Sequence, residues 1–489
     1  MFGRFKPLTV VLGEADPQST WRKNNISLLD VVYHQWRRNK LQARDSIASA
    51  RLSDELPPVD VIRLLVSRYF ETFHTIFPVL NEVGFTKDLN DLLENLSNTP
   101  FYLLVQVILV LALANGTYSP SQAPIPQSKS FVWLDLASSV PTTALELDEC
   151  SIDTLRVIAL LNTAKQALKL NETADYVYSG AGVRFSMMLG LNRTDVVDKT
   201  LTQIWDTVRE LDLHACLACG AAPTVSSDKY EEFPKRRWAD QGTISTHESY
   251  VSTEALHDIL RRSRDTRTKI TTLVNTEQHL QFQDVMALSQ KLANDMAPIS
   301  NNAKVQEQQS FAYKYVLFVY QKFLATLHRP FAPFRDPVFY LSRDITRNQA
   351  QDHYRQVCAA FRGGRNEEPF AALIAGNGTM FRIQAIQSAL WLSFELYRED
   401  DYDVYVPGIT GSGTVDKATI ETLLSEGIVY AEKAIRTHEL AGAAFLVPSL
   451  VLHHRAAIQR GQLPGSQQYH DTMSDAGKRL KDKLTNILV

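Results

Sequence analysis

Cysteine is scarce in this sequence of 489 residues, which contains only Cys150, Cys216, Cys219 and Cys358. So few scattered cysteines exclude a disulfide scaffold and are typical of a reducing compartment. Cys216 and Cys219 form the one close pair, with the spacing of a redox motif or of half a zinc site. A redox motif needs a preceding strand and a zinc site needs a second ligand pair, and the sequence has neither pattern. We therefore expect these two cysteines to lie in the core.

An excess of positive charge is also missing, because 51 basic and 54 acidic residues give a formal net charge of -3. Affinity for nucleic acid usually depends on positive charge, so no direct nucleic-acid binding is expected. Residues 1–51 are locally basic, with aromatic residues such as Trp21 and Trp36 among the arginines and lysines. A solvated amphipathic helix over residues 28–50 explains this segment better than a nucleic-acid-binding arm.

Long hydrophobic runs are absent as well. The longest apolar segment, residues 101–114, has the length of a buried helix and is too short to span a bilayer. The first residues lack the apolar core of a secretory signal. We expect an intracellular protein without membrane contact, and Lys235-Arg236-Arg237 is too short a basic run to decide between nucleus and cytoplasm.

Helical periodicity is abundant. Apolar residues such as Val61, Leu65, Tyr69 and Phe73 recur at spacings of three and four, and similar patterns follow along the chain. The pattern predicts an all-α protein, a large multi-helix bundle. Among its helices we expect one between Pro57 and Pro78, and others at 101–114, 151–170, 173–189, 201–220, 347–361, 371–397, 420–440, 445–460 and 474–489, with loops at 118–130 and 408–415. Ser151 and Thr173 lie at the expected N-terminal cap positions of two of these helices.

Four motifs occur in a characteristic order along this helical sequence. They are the segment 57–80, the segment 181–193 ending in Gly-Leu-Asn-Arg, the aromatic helix and turn at 205–223, and His328-Arg329-Pro330-Phe331 at the end of a helix. Together they resemble the regulatory, or middle homology, region of fungal zinc-cluster transcription factors. Two departures from the family pattern are Asn192 in place of a histidine and the absence of an arginine before Pro223. The resemblance implies an all-α regulatory body.

The resemblance also sets expectations for organisation and function. We expect a basic N-terminal segment (1–51), a regulatory domain (52–335) and a helical C-terminal part packed on the same body (336–489). No cysteine precedes Cys150, so the six-cysteine zinc cluster that usually comes first in the family is not in this sequence. We expect a transcription-regulatory protein without its own DNA-binding domain, which acts through a small apolar ligand, a complete zinc-cluster factor or a second copy of itself. Missing upstream exons would instead make it an ordinary DNA-binding factor.

Three residues are the candidates for ligand binding. Lys322 and Arg329 are spaced to share one helix face, and Asp212 lies within the aromatic helix motif at 205–223. Buried cations bind diphosphate or carboxylate ligands, since Lys and Arg neutralise such anions. In the structural alternative, Arg329 pairs with backbone carbonyls or with a carboxylate such as Asp212.

An enzyme is the alternative function, for example a magnesium-dependent terpene cyclase that acts on a polyprenyl diphosphate and uses Lys322, Arg329 and Asp212. Its metal would need an acidic cluster, and the densest is Glu399-Asp400-Asp401-Tyr402-Asp403, whose spacing departs from the usual Asp-Asp-x-x-Asp signature. A solvated helix end explains this cluster better. Pro298 stands where the second magnesium motif would need a serine, and the adjacent His453 and His454 have the wrong spacing for a metal. We therefore favour the regulator, with no cofactor and no metal site, and Mg²⁺ would be needed only by the enzyme.

Overall fold

The computed structural model describes residues 56–94, 100–119, 121–146, 150–169, 171–193, 196, 198–226, 253–276, 280–302, 310–362, 368–376, 378–398, 417–435 and 441–488. These residues are 81% helical and contain no β-strand. The predicted all-α, multi-helix fold is confirmed. None of the described helices combines the length and the apolar character that crossing a bilayer requires.

In chain order the described helices are α1 (Val59–Glu71), α2 (Glu82–Glu94), α3 (Phe101–Asn115), α4 (Gln127–Ala137), α5 (Val140–Glu146), α6 (Ile152–Leu168), α7 (Glu172–Met188), α8 (Lys199–Cys219), α9 (Thr253–Thr276), α10 (Phe282–Asn302), α11 (Phe311–His328), α12 (Tyr340–Arg362), α13 (Pro369–Ile374), α14 (Thr379–Tyr397), α15 (Lys417–Ala434), α16 (Ala441–Gln459) and α17 (Gln467–Leu488). Short 3-10 turns lie at Phe73–Thr75 and Pro337–Phe339.

The described residues belong to two compact units. Unit A contains residues 56–327 and 368–381, and unit B contains residues 328–362 and 382–488. Helix α14 therefore begins in unit A and continues in unit B. The sequence-based domain boundaries, after residues 51 and 335, stay predictions. The predicted helix at 28–50, the acidic cluster at 399–403 and the loop at 408–415 lie outside the described residues.

The core of unit A is built around α3, which is buried from Val105 to Asn115. This helix is apolar on all sides, so it is covered by neighbours all round: α1, α4 and α6 pack against it. Helix α6 is almost as deeply buried and packs in turn on α7 and α8. The prediction of a buried helix at 101–114 is confirmed.

Capping side chains fix where several helices of unit A begin. Ser151 accepts a hydrogen bond from the backbone N–H of Thr154 at the start of α6, as its sequence position predicts. At the start of α7 the cap is Asn171, whose side-chain oxygen accepts from Ala174 N at 3.1 Å. The expectation of a Thr173 cap is wrong, because the helix starts one residue earlier, at Glu172.

Two other predicted boundaries are corrected. Helix α1 ends at Glu71, and the 3-10 turn Phe73–Thr75 separates it from Pro78. The predicted loop at 118–130 is shorter, because α4 already begins at Gln127, directly after Pro126. Proline is favoured just before the first turn of a helix, where its missing N–H and fixed φ cost little.

The predicted helix 371–397 is two helices, α13 and α14, because the chain must pass close to α6 between them. A Cβ atom on Gly378 would lie 2.0 Å from the carbonyl oxygen of Ala167. Thr379 then binds the end of α6 with its backbone N–H and its hydroxyl, each 3.0 Å from the carbonyl oxygen of Lys169. Any side chain at residue 378 would collide with the backbone of α6. The chain is not helical at this close approach, and α14 begins at the next residue, Thr379.

Unit B has its own hydrophobic core, which contains Tyr354, Ala389, Leu424 and Phe445 among others. Helix α15 packs on α12 and α16, and α17 packs on α16. The predicted helices in this region are confirmed with shifted ends, except that residues 436–440 lie outside the described part of the chain.

Candidate ligand-binding site

The buried side of α8 in unit A presents two polar residues, Glu210 and His214, one helical turn apart. Both side chains are almost completely inaccessible to solvent. They face α9, which supplies Arg264 and Arg267, and α11, which supplies Tyr315 and Lys322. We call these six residues the buried polar cluster.

Glu210 and Arg267 form the ion pair at the centre of the cluster. Nη1 and Nη2 of Arg267 bond to the two carboxylate oxygens of Glu210, the latter at 3.0 Å, and Nη2 also donates to Leu260 O at 2.6 Å. Burial alone would raise the pKa of Glu210, but the charge of Arg267 and hydrogen bonds from His214 and Arg267 hold it well below its usual range. This carboxylate is therefore ionised, and the pair has a structural role.

Arg264 is neutralised on the same helix surface. Its Nη1 donates to the carboxylate of Asp206 at 2.7 Å, and its Nε lies 3.6 Å from Glu210 Oε2. Two arginines thus share the two carboxylates of Asp206 and Glu210, and their charges balance.

His214 connects this ion pair to α11. Its Nε2 lies 2.9 Å from the Tyr315 hydroxyl and 3.4 Å from Glu210 Oε1, and its Nδ1 lies 3.3 Å from Lys322 Nζ. Burial and the charge of Lys322 lower the pKa of His214 to about 4, so the ring is neutral at physiological pH. An ammonium group can only donate, hence Nδ1 accepts from Lys322 and the ring proton is on Nε2.

Lys322 is the cation of the cluster that has no carboxylate of its own. It is 4% exposed, and its Nζ donates to His214 Nδ1 and to the carbonyl oxygen of Met380, both at 3.3 Å. Burial lowers the pKa of Lys322 to about 7, although the charge of Glu210 acts in the opposite direction. An ammonium has three N–H donors, so one remains for a ligand after these two contacts in the described part of unit A. The chemistry of Lys322 thus suits an anionic group.

Asp212, the second sequence-predicted residue, lies in unit A but has different partners. Its carboxylate accepts from Thr224 N at 2.8 Å and from the Thr224 hydroxyl at 2.9 Å. Burial raises the pKa of Asp212, and the hydrogen bonds from Thr224 oppose this shift. These bonds tie the turn after α8, where Gly220 has a φ of +74°, back onto the helix. Among the described residues, Asp212 and Lys322 share no hydrogen-bond partner.

Arg329, the third predicted residue, belongs to unit B and directly follows α11. Its Nε is buried and has no hydrogen-bond partner among the described residues, and burial lowers the pKa of its guanidinium to about 10. The preceding His328 lies 2.8 Å from the Ser342 hydroxyl through its Nδ1, and its carbonyl oxygen accepts from Phe331 N and Ala332 N. The His-Arg-Pro-Phe motif therefore forms the tight turn that ends α11.

Four residues of the buried polar cluster were not predicted from the sequence: Glu210, His214, Arg264 and Arg267. Glu210 and His214 gave a signal, because two polar residues four positions apart fall on the apolar side of a predicted helix. Arg264 and Arg267 gave none, since α9 itself was not among the predicted helices.

The cysteine pair and the acidic residues are the remaining candidates for redox or metal chemistry. Cys216 is buried and Cys219 partly buried, and neither forms a disulfide with a described residue. Asp295, three residues before Pro298, accepts a hydrogen bond from Thr266 at 3.1 Å. In the described part of the chain no group of three or more His, Cys, Asp or Glu side chains is placed to hold a metal ion. The acidic cluster 399–403 lies outside the described residues.

No family model matches the chain. It is 24% identical over 325 residues to "Transcription factor opdR" of Penicillium oxalicum (strain 114-2 / CGMCC 5302), a match that covers 59% of this chain and 40% of the relative. It is 30% identical over 152 residues to "Probable transcription factor FUP6" of Fusarium proliferatum (strain ET1), which covers 28% of this chain and 21% of the relative. The chain thus spans less than half the length of either relative. These similarities at low identity support a fungal transcription factor-like protein.

Proposed function

We propose that this protein regulates transcription and that its helical body is the regulatory part. The observation that carries the proposal is the similarity to two proteins named as transcription factors. One of these matches covers more than half of this chain. The all-α fold agrees with what the sequence motifs imply for a regulatory region. A place of action in the nucleus follows from this role.

We propose further that an anionic small molecule controls this body by binding near Lys322. Support comes from the charge balance of the buried polar cluster, in which the arginines are neutralised and Lys322 is not. A ligand carboxylate or phosphate would accept the remaining N–H of Lys322 and favour its charged form. Asp212 and Arg329 remain proposed ligand-binding residues of the same regulatory body.

The route from this body to a promoter is a protein partner. A complete zinc-cluster factor or a second copy of this chain are the two partners that the resemblance implies. Neither requires nucleic-acid contacts from the helical body, and the net charge of -3 gives no electrostatic attraction to DNA.

The enzyme alternative gains no support from the described residues. A magnesium-dependent cyclase needs carboxylates that converge on Mg²⁺, and its one candidate cluster, residues 399–403, lies outside them. Asp212, which that reaction would have used, is hydrogen-bonded to Thr224. The enzyme remains a hypothesis that the experiment below separates from the regulator.

The test is a strain deleted for this gene, in which transcripts and metabolites are profiled from the same cultures. A regulator predicts that a set of transcripts falls or rises together and that reintroduction of the gene restores it. Unchanged transcripts with one accumulated intermediate would contradict the proposal and identify an enzyme with that compound as its substrate.

A further inference from the structure

Unit B contains a buried arginine that has no counter-ion among the residues that the structure describes. Arg382, near the start of α14, is 1% exposed, and its Nε and Nη1 have no hydrogen-bond partner in the part of the chain that the structure describes. Most buried polar atoms in proteins are hydrogen-bonded, and a buried charge normally has an opposite charge beside it. An unpaired guanidinium in a core is therefore a feature that needs an explanation.

Two tyrosines surround this guanidinium. The ring of Tyr430, from α15, lies 4.6 Å from the guanidinium carbon and supplies a face for the cation. Tyr354, from α12, is close enough to interact electrostatically with Arg382, and its buried hydroxyl also lacks a hydrogen-bond partner among the described residues. Three polar atoms with unused hydrogen-bonding capacity thus occur together.

The position of Tyr354 is set by Gly427 on α15. A Cβ atom at residue 427 would lie 1.9 Å from the Tyr354 hydroxyl oxygen, so a side chain there would displace the tyrosine. Glycine is a poor helix former, yet here it lies inside α15. Gly427 therefore lowers the stability of α15, but any larger residue at this position would collide with the Tyr354 hydroxyl.

Glu426 and Glu395, two carboxylates of unit B, are paired with other arginines. Glu426, next to Gly427, lies 3.4 Å from Arg362, and Glu395 lies 3.4 Å from Arg343. Burial lowers the pKa of Arg382 to about 10, and the guanidinium therefore keeps its charge at neutral pH. Among the described residues of unit B, no carboxylate is paired with this guanidinium, so its hydrogen-bonding capacity is open to a bound anion.

We propose that Arg382 and Tyr354 bind the carboxylate of a small organic acid inside unit B. Nε and Nη1 of Arg382 and the hydroxyl of Tyr354 donate hydrogen bonds to the carboxylate oxygens. One cation matches one monovalent carboxylate, whereas a phosphate dianion would bury a second, uncompensated charge. The rest of the ligand is apolar, because Tyr354 belongs to the same hydrophobic core as Cys358, Ile386 and Leu424. The proposed site uses none of the residues assigned to Lys322 and its partners, and it does not depend on the transcriptional role.

The test uses the purified full chain and three sodium salts, acetate, benzoate and octanoate, which share the carboxylate and differ in the apolar body. Benzamide serves as the neutral analogue of benzoate, and sodium chloride at equal concentration controls for ionic strength. At least one carboxylate is expected to raise Tm and to give a measurable Kd by calorimetry, and benzamide and chloride are expected to do neither.

Two variants locate the site. Arg382→Met keeps the apolar stem and removes the charge, and the carboxylate response should disappear. Tyr354→Phe removes one hydroxyl that has no partner in the free protein, and it should weaken the Kd about tenfold, the loss expected for one hydrogen bond to a charged group. Arg355→Met, at an exposed position of the same helix α12, should bind like the wild type.

The stability of the free variants gives a second, independent result. If Arg382 is a ligand-binding residue, its charge is unpaired in the ligand-free protein. The ligand-free variant Arg382→Met should then have a Tm equal to or above that of the ligand-free wild type, because an unpaired buried charge is removed. A carboxylate response that persists in Arg382→Met, an equal response to chloride, or no response to any of the three acids would overturn the proposal. So would loss of folding in Arg382→Met together with unchanged binding in Tyr354→Phe, since Arg382 would then be structural.

Discussion

Lys322 has a buried ammonium group whose neighbours are a neutral histidine, a backbone carbonyl and, farther away, a carboxylate already paired with Arg267. Burial therefore disfavours its charged form, and its pKa falls to about 7 from an ordinary value of 10.5. A residue that changes charge near neutral pH responds to a small difference in its surroundings, such as the arrival of an anion. This property makes Lys322 the most informative single residue of unit A.

The first prediction concerns the pH dependence of stability. Between pH 7 and about 10 the unfolded chain holds a proton on Lys322 that the folded protein has released, so the wild-type free energy of unfolding rises with pH in this window. The contribution approaches about 1.4 kcal/mol per pH unit. Lys322→Met lacks it, so the variant should exceed the wild type in stability most clearly at or below pH 7 and lose that advantage toward pH 10. Urea unfolding at pH 6, 7.5 and 9 measures this, with Lys87→Met on the exposed side of α2 as control. Parallel pH profiles for the wild type and Lys322→Met would show that the pKa is not lowered.

The second prediction concerns the central ion pair. Glu210→Gln keeps the shape of the side chain but leaves the buried charge of Arg267 without its partner, which typically costs about 3–5 kcal/mol. The control is Asp153→Asn, which breaks the exposed pair with Arg156 and should cost less than about 1 kcal/mol. Urea midpoints of the two variants at pH 7 decide the point. Similar small losses in both would mean that the cluster is open to water.

At the scale of single residues, the sequence predicted Lys322 and Asp212 as buried polar candidates because motifs mark their positions. It did not predict the partners of Lys322. His214 and Met380 are far from residue 322 in the sequence, and their contacts depend on how α8, α11 and the start of α14 pack. Periodicity within one helix contains no information about such packing.

The helices predicted from the sequence differ from the observed helices mostly at their ends. The pattern of apolar residues predicted α3, α6, α7 and α8 with bounds close to those observed, because each has a continuous apolar face or a capping residue. The interruption between α13 and α14 was missed, since two glycines in an apolar sequence do not show that the backbone of α6 lies against one of them.

The third prediction separates the two candidate caps of α7. Asn171→Ala removes the acceptor for Ala174 N and should lower stability by about 1 kcal/mol. Thr173→Ala, at the cap position that the sequence indicated, is exposed within the first turn and should change stability by less than about 0.5 kcal/mol. Thermal unfolding of both variants is sufficient, and a larger loss in Thr173→Ala would restore the sequence-based boundary.

The fourth prediction concerns the close approach at Gly378. Gly378→Ala places a methyl group against the carbonyl oxygen of Ala167, a backbone atom that cannot rotate away, and should cost about 2–3 kcal/mol or more. Gly376→Ala, two residues earlier, meets its nearest atom at 3.1 Å and should be tolerated far better. Equal Tm values for the two variants would contradict the assigned contact.

At the scale of the whole molecule, composition and periodicity were sufficient for the all-α class, because helix formation depends on local spacing. The division into two compact units was not visible in the same way, since it depends on contacts between distant segments such as α12 and α15. Function is even harder to predict from local sequence patterns than the division into two units. The motifs led to the family resemblance, and the similarity to named transcription factors supports a regulatory role without identifying a ligand or partner.

The most direct test of that role is a reporter assay in which the full chain is fused to an unrelated DNA-binding domain with its own operator. A regulatory body predicts that the fusion changes reporter transcription relative to the DNA-binding domain alone, that Lys322→Met alters this effect at equal protein level, and that Lys87→Met does not. A fusion that leaves the reporter at the level of the DNA-binding domain alone would contradict the account.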